Sequence, residues 1–177
     1  MPTYIAFLRA VNVGKRQYPM GELRAVLTGA GYDDVATHIQ TGNVLLRTPV
    51  RTRERVEGEL ERLFAEDRGF HVSTVVLTPA ELSQVARDAD EIAAEHPPRF
   101  AHYVSLLKAV PTADAVEAIE GHGHPDETAV VRRRAVHLLY DKPYHEAKVS
   151  NAFVEKLLGV ATNRNATVIR ALAEKWC

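Results

Sequence analysis

The fold of this chain is organised around residues 35–46, which read VATHIQTGNVLL. From Val35 to Ile39 the residues alternate with a period of two, which is typical of a half-buried strand. Gly42 and Asn43 tolerate the positive φ angles of a tight turn, because Gly lacks a Cβ atom and Asn populates the left-handed region. The stretch therefore predicts two strands joined by a two-residue turn.

The segments on either side of this hairpin complete a β-α-β-β-α-β order over residues 1–78. They are predicted as strand, helix, helix and strand, at about residues 4–11, 19–29, 52–67 and 70–77. Both helices carry apolar residues at the spacing of one buried face. This order is the split βαβ, or ferredoxin-like, plan.

The second half of the chain echoes the first. Thr78 and Glu81 form a capping-box pattern, which predicts a helix that links the halves over residues 79–98. Residues 99–177 then read β-α-β-β-α, with an extra helix where a fourth strand would be expected. We therefore predict an α+β protein of two ferredoxin-like units with antiparallel sheets, the second unit ending in extra helices.

The composition argues against several classes of protein, although local basic clusters keep nucleic-acid binding open. The chain is 46% hydrophobic and 25% charged, which is the balance of a folded globular protein. The net charge of −1 leaves neither half with the basic excess that a nucleic-acid backbone requires. No apolar run reaches the roughly 18 residues of a membrane span. The single cysteine, Cys177, requires no oxidising compartment, so we expect a cytoplasmic protein.

Five short segments resemble the bacterial family known as domain of unknown function 1697. They are FLRAVNVG (7–14), MGELR (20–24), IQTGNV (39–44), KVSN (148–151) and ATNRN (161–165). The resemblance implies a two-part α+β fold built from ferredoxin-like units, and it implies no activity. The chain departs from the family at Lys15, at residues 142–146 and at Ala166, where the family commonly has glycine, a glycine-rich segment and an aromatic residue. The loops around any shared pocket should therefore differ in shape.

The loop of residues 12–17 lies between the first predicted strand and the first predicted helix. Backbone amides and the positive end of the helix dipole favour an anion there, and Lys15 or Arg16 adds positive charge. No phosphate-loop or dinucleotide fingerprint is present, because Gly14 stands alone. Anion binding at this loop therefore competes with an ordinary solvated loop.

Two C-terminal segments offer further candidates. Lys148 could deprotonate Ser150, as in serine-lysine hydrolytic pairs, but helix capping by Ser150 is the favoured interpretation. Arg164 could hold a carboxylate or phosphate through two parallel hydrogen bonds. Alternatively, Thr162 or Asn165 caps the last helix and Arg164 ties two loops together.

We expect the loop of residues 12–17, the polar end of the hairpin and the C-terminal loop to converge on one small anionic ligand, phosphorylated or carboxylated, in a cleft between the two halves. The candidate ligand-binding residues are Asn12, Lys15, Gln40, Thr41, Asn43, Lys148, Ser150, Asn151, Thr162, Arg164 and Asn165. We predict no catalytic residue, no cofactor and no metal site. His122 and His124 lie in a Gly/Pro loop that offers no further ligand at a recognised metal-site spacing.

Two other functions stay open. A nucleic-acid-associated module would use Arg51, Arg53 and Arg55 together with Arg132–Arg134, which we expect at an exposed hairpin tip. The predicted sheet lacks the row of aromatic rings on which bases stack in RNA-binding sheets of this plan. A protein-interaction or dimerisation module without chemistry would leave a large apolar patch exposed.

Overall fold

The computed structural model describes residues 1–177. The chain divides into two compact units. Unit 1 comprises residues 1–81 and Trp176, and unit 2 comprises residues 82–175 and Cys177. Each unit contains one four-stranded antiparallel sheet together with helices. The predicted α+β class with antiparallel sheets is therefore confirmed.

Unit 1 has the element order that the hairpin predicts. Its elements are β1 (Thr3–Leu8), α1 (Met20–Gly29), β2 (Asp33–His38), β3 (Asn43–Arg47), α2 (Arg53–Arg68) and β4 (Thr74–Leu77). The strand order across the sheet is β2-β3-β1-β4, and every neighbouring pair is antiparallel. The central strand β1 is buried on both faces from Tyr4 to Leu8, which explains why this part of its sequence is apolar throughout.

The helices of unit 1 pack on one face of its sheet. α1 contributes Leu23 and Leu27, and α2 contributes Leu60 and Phe64, all of them fully buried. Each pair is four residues apart and so lies on one side of its helix. Burial of one such side chain contributes on the order of 2 kcal/mol. This packing fixes both helices and, with them, the loops at the ends of β1.

The turn between β2 and β3 differs from the prediction. His38 pairs with Asn43, so the turn contains the four residues from Ile39 to Gly42, and Asn43 begins β3. Positive φ angles occur at Ile39 (52°) and Gly42 (82°), and none occurs at Asn43. The prediction of a two-residue turn at Gly42 and Asn43 is therefore wrong. The Asn43 side-chain Nδ2 donates to the His38 carbonyl and to the Thr41 hydroxyl, each at 3.0 Å, and these bonds tie Asn43 to the turn.

The capping box at the start of α3 (Pro79–Glu95) is confirmed. The Thr78 amide donates to the Glu81 carboxylate at 2.8 Å, and the Glu81 amide donates to the Thr78 hydroxyl at 3.2 Å. Two backbone donors that the helix itself leaves unpaired are thereby satisfied, and the helix begins where the sequence predicts.

The four strands of unit 2 are arranged across their sheet in the same order as the four strands of unit 1. After α3 come β5 (Ala101–Leu107), α4 (Ala113–Glu120), β6 (Glu127–Arg132), β7 (Ala135–Tyr140), α5 (Asn151–Leu158), β8 (Ala161–Asn165) and α6 (Ala166–Trp176). The order across the sheet is β6-β7-β5-β8, with antiparallel neighbours. The core between this sheet and α4 and α5 contains buried side chains from all of these elements, including Leu107, Ile119, Leu138 and Val154.

The fourth strand of unit 2 corrects the sequence prediction of extra helices. β8 lies antiparallel to β5, with Thr162 opposite Leu106 and Arg164 opposite Val104. Only α6 follows this strand, and Thr162, Arg164 and Asn165 belong to the strand instead of to a loop. Its sequence, ATNRN, has little β propensity of its own, so its pairing with β5 decides its conformation.

No helix in the structure combines the length and the apolar character that crossing a membrane requires.

Candidate functional site

Asn12 ties the loop between β1 and α1 to the end of the β2–β3 hairpin. Its Nδ2 donates to the carbonyls of Tyr18 at 3.0 Å and Gln40 at 2.5 Å, and its Oδ1 accepts from the Tyr18 amide at 2.8 Å. Its own amide donates to the Arg16 carbonyl at 2.7 Å. The side chain that was predicted to bind a ligand is therefore engaged in holding two loops together.

The turn between β2 and β3 packs tightly against the C-terminal end of β1. The Leu8 amide donates to the Gly42 carbonyl at 2.8 Å. A Cβ atom at Gly42 would lie 2.7 Å from the Leu8 Cβ and 2.8 Å from the Val11 Cγ2, so only glycine fits. Gln40 and Thr41 are exposed beside this contact, whereas Asn43 is fully buried. Of the predicted hairpin residues, Gln40 and Thr41 therefore face solvent.

Left-handed residues alternate along the β1–α1 loop. The φ angle is 55° at Ala10, 57° at Asn12 and 55° at Gly14. A non-glycine residue in this region costs roughly 1–2 kcal/mol, although Asn pays less than Ala. Arg16 helps to hold this conformation, because its Nε donates to the Ala10 carbonyl at 2.7 Å and its guanidinium lies 4.6 Å from the centre of the Phe70 ring. Arg16 is thus a brace of the loop as well as a charge within it.

Lys15 lies at the tip of this loop. Val13, Gly14 and Lys15 are all exposed, and their amides take no part in the hydrogen bonds that close the loop. The closing bonds run instead from the Asn12 amide to Arg16 and from the Arg16 amide to Val13, at 2.7 and 3.1 Å. The tip therefore carries an exposed ammonium group, and its three amides are not used by the bonds that close the loop.

In unit 2, the segment before α5 is held by a buried carboxylate. Glu127 accepts hydrogen bonds from the amides of Lys148 and Val149, both at 2.8 Å, and from the Lys142 ammonium at 3.1 Å. Burial alone would raise the pKa of Glu127, but these donors outweigh it and hold the pKa below its ordinary value. Because its partners lie more than a dozen residues away, no local pattern could have indicated this role.

Ser150 caps α5, since its hydroxyl accepts from the Phe153 amide at 3.4 Å. The favoured capping interpretation is therefore confirmed. Lys148 is exposed and contributes its amide to the contact with Glu127. The Asn151 side chain accepts from the Ser105 hydroxyl at 2.9 Å and donates to the Ala161 carbonyl at 3.0 Å. Asn151 thus joins the start of α5 to β5 and β8.

The residues of β8 are mostly engaged within unit 2. Arg164 is buried, and its Nη1 donates to the Thr162 hydroxyl and the Asn163 carbonyl, each at 2.8 Å. Burial lowers the pKa of Arg164 to about 10. Asn165 caps α6, because its side chain accepts from the Thr167 amide at 2.9 Å. In unit 2, Thr162, Arg164 and Asn165 belong to β8, and Asn151 bonds to its first residue. In unit 1, Asn12 bonds to Gln40 at the hairpin end.

The basic residues of the nucleic-acid alternative are largely occupied. Arg53 pairs with Glu54, and Arg55 pairs with Glu59 at 2.9 Å. The hairpin tip also differs from the prediction of an exposed cluster, because Arg134 is buried and donates to a backbone carbonyl of β5. No specific contact in the structure therefore favours nucleic-acid binding.

A pocket that the sequence did not indicate lies beside α2 in unit 1, with a volume of about 290 Å³. It is lined by Ala30, Gly31, Tyr32, Thr48, Pro49, Val50, Arg55, Glu59, Arg62 and Leu63. Three charged residues of α2, at positions 55, 59 and 62, follow the i, i+4, i+7 spacing of one helix face. That spacing was visible in the sequence, but the neighbouring walls come from two separate loops, at residues 30–32 and 48–50.

These features define a class of protein: an α+β protein of two units in which polar residues tie loops at the ends of each sheet. The chain belongs to the family described as "Protein of unknown function (DUF1697)", whose model matches residues 1–137. The three N-terminal segments that carried the resemblance lie within this range, and the two C-terminal segments lie beyond it. No curated protein matches the sequence significantly.

A solved structure of a conserved bacterial protein from Streptococcus pneumoniae is similar to this chain, with a TM-score of 0.74 and 21% sequence identity. The likeness covers 99% of this chain and 98% of that one. At this identity it shows the fold alone.

Proposed function

We propose that the protein binds a small anionic ligand, phosphorylated or carboxylated, at the tip of the β1–α1 loop. The observation that carries the proposal is the alternation of left-handed residues at Ala10, Asn12 and Gly14. Successive amides in alternating right- and left-handed conformations form concave anion sites in proteins, and the positive φ angles at every second residue of this loop support such a site.

Charge and rigidity support the same interpretation. Lys15 is exposed at the tip, and Arg16 adds a second positive charge while its contacts fix the loop. The hydrogen bond from Asn12 to Gln40 keeps the exposed polar residues of the hairpin end beside the loop. A site whose donors are fixed before binding loses less conformational entropy when the ligand arrives. That Lys148 or Arg164 also contributes to this ligand stays a prediction.

Inorganic phosphate and acetate are suitable first probes, because they carry the proposed charge and nothing else. We expect phosphate, titrated into the intact protein, to shift the amide NMR signals of Val13, Gly14 and Lys15. Lys15→Ala should weaken binding by about 3- to 10-fold, which is the loss expected for one exposed charge-assisted contact. Gly14→Val should weaken it further by disturbing the left-handed backbone at that position.

Lys156→Ala is the matched control, since Lys156 is an exposed lysine in α5 of the other unit. Its affinity for phosphate should equal that of the unaltered protein. Phosphate-induced shifts that are absent from the loop, or that weaken equally in Lys156→Ala, would overturn the proposal.

We further propose that both units are ferredoxin-like and that the protein is a bacterial, cytoplasmic one. The β-α-β-β-α-β order of unit 1 and the matching strand orders of the two sheets support the first part. The bacterial source of the similar structure supports the second. The presence of a single, exposed cysteine suits a reducing compartment.

A further inference from the structure

The pocket beside α2 has a buried floor and a charged rim. Tyr32 and Thr48 are nearly inaccessible at the floor, and the partly buried side chains of Val50 and Leu63 form apolar walls that continue into the core of unit 1. A volume of about 290 Å³ is at the small end of the range for ligand pockets. The occupant that fits is therefore small and partly apolar.

The rim carries a positive, a negative and a positive side chain in succession along α2, at Arg55, Glu59 and Arg62. Arg55 Nε donates to the Glu59 carboxylate at 2.9 Å, and Arg62 lies one turn further along the same face of α2. The Arg55 and Arg62 side chains are 70% and 66% exposed and pair with Glu59 and Glu66. Exposed ion pairs of this kind are weak, so each arginine can turn toward a ligand, whereas Glu59 is 32% exposed and more fixed. The Tyr32 phenol lies next to Glu59. Burial is the main cause, and the Glu59 charge the second cause, that raises the pKa of Tyr32, so the phenol stays a neutral donor.

This order of charges selects among ligands. A simple anion would meet two guanidinium groups but would also be repelled by Glu59. A cation would meet Glu59 but would be repelled by both arginines. A zwitterion with adjacent carboxylate and ammonium groups matches the adjacent side chains of Arg55 and Glu59. Its carboxylate would accept from the Arg55 guanidinium, and its ammonium group would donate to the Glu59 carboxylate.

We propose that this pocket binds a free α-amino acid with an apolar side chain. Its carboxylate is held by Arg55 and Arg62, its ammonium group by Glu59, and its side chain lies against Val50 and Leu63. The site is separate in sequence from the anion-binding loop of residues 10–17, and the inference does not depend on that loop.

Calorimetry on the intact protein with L-leucine and L-phenylalanine tests the proposal. N-acetyl-L-leucine lacks the ammonium charge and L-leucine amide lacks the carboxylate. Each should therefore bind at least about ten-fold more weakly than L-leucine, since each loses one set of charge-assisted contacts. Equal binding of all three leucine compounds, or no binding of either amino acid, would overturn the proposal.

Variants on α2 localise the binding. Glu59→Gln and Arg62→Gln should each reduce the affinity for L-leucine about ten-fold or more. Glu66→Gln is the matched control, because Glu66 pairs with Arg62 at 3.0 Å but does not line the pocket; its affinity should stay within about two-fold. An equal loss in Glu66→Gln would contradict the assignment. Lys15→Ala should leave L-leucine binding unchanged, which separates this test from that of the loop.

Discussion

Two histidines in unit 2 meet inside the protein. The His102 Nε2 lies 3.3 Å from the His137 Nδ1, and the outer nitrogen of each ring is buried without a hydrogen-bond partner. Burial, with the charge of Arg170 as a secondary cause, lowers the pKa of His102 to about 4. Burial, with His102 itself as a secondary cause, lowers the pKa of His137 to about 3. Of the other charges near the pair, Asp90 opposes the shift of His102 and Arg132 adds to that of His137.

The pair should make the protein sensitive to acid. In the unfolded chain both histidines take up protons near pH 6.5, whereas in the folded protein they stay neutral to about pH 4. Above pH 6.5 the histidine pair therefore leaves the free energy of unfolding unchanged. Below pH 6.5 that free energy falls, by on the order of 2 kcal/mol per histidine by pH 5. Urea unfolding at pH 7, 6 and 5 measures this slope.

His137→Phe should flatten that slope by about half, because Phe replaces one buried imidazole and carries no proton. His71→Phe is the control, since His71 is exposed. A slope that His137→Phe leaves unchanged would assign the acid sensitivity to other groups.

Gly42 is the residue on which the β2–β3 turn depends. In Gly42→Ala, the new Cβ would lie within 3 Å of Leu8 and Val11, at a φ angle of 82°. We expect a loss of about 2–4 kcal/mol in the free energy of unfolding, from overpacking and backbone strain together. Chemical denaturation measures it. Gly58→Ala, at an open position within α2, should instead stabilise the protein by about 0.5–1 kcal/mol.

At the scale of elements, the segment between β7 and α5 depends on one carboxylate. Glu127→Gln keeps the shape of the side chain but removes its charge from the Lys142 contact and weakens its acceptance from two amides. We expect a loss of about 1–3 kcal/mol in stability and faster proteolysis within residues 142–150. Glu117→Gln, at an exposed position of α4, should change neither. Equal proteolysis rates in the two variants would remove this role from Glu127.

The elements also show where prediction from sequence succeeded. α5 begins directly after Ser150, the residue that the sequence favours as its cap, and Gly159 follows its last residue. The capping box of α3 and the alternation of strands and helices in unit 1 are likewise encoded within a few residues. β8 was missed because its five residues carry no periodic apolar pattern, and only the neighbouring strand β5 makes them a strand.

At the scale of the whole molecule, the same strand order occurs twice with different residues. β2-β3-β1-β4 and β6-β7-β5-β8 place corresponding strands alike, although one central strand reads TYIAFL and the other AHYVSLL. The similarity to the Streptococcus pneumoniae protein at 21% identity makes the same point. The positions of buried residues along the chain, more than their identities, specify this fold.

Local patterns in the sequence were sufficient to predict the class of fold, most of the helices and strands, several helix caps and the family. These depend on periodicity, propensity and short motifs, which act between residues a few positions apart. Four features became visible only in the folded protein: Asn12 and Asn43 hold loops, Glu127 fixes a distant segment, residues 161–165 form a strand, and α2 borders a pocket. Each of these depends on contacts between residues far apart in the chain, and such contacts exist only once burial of the core has brought the elements together.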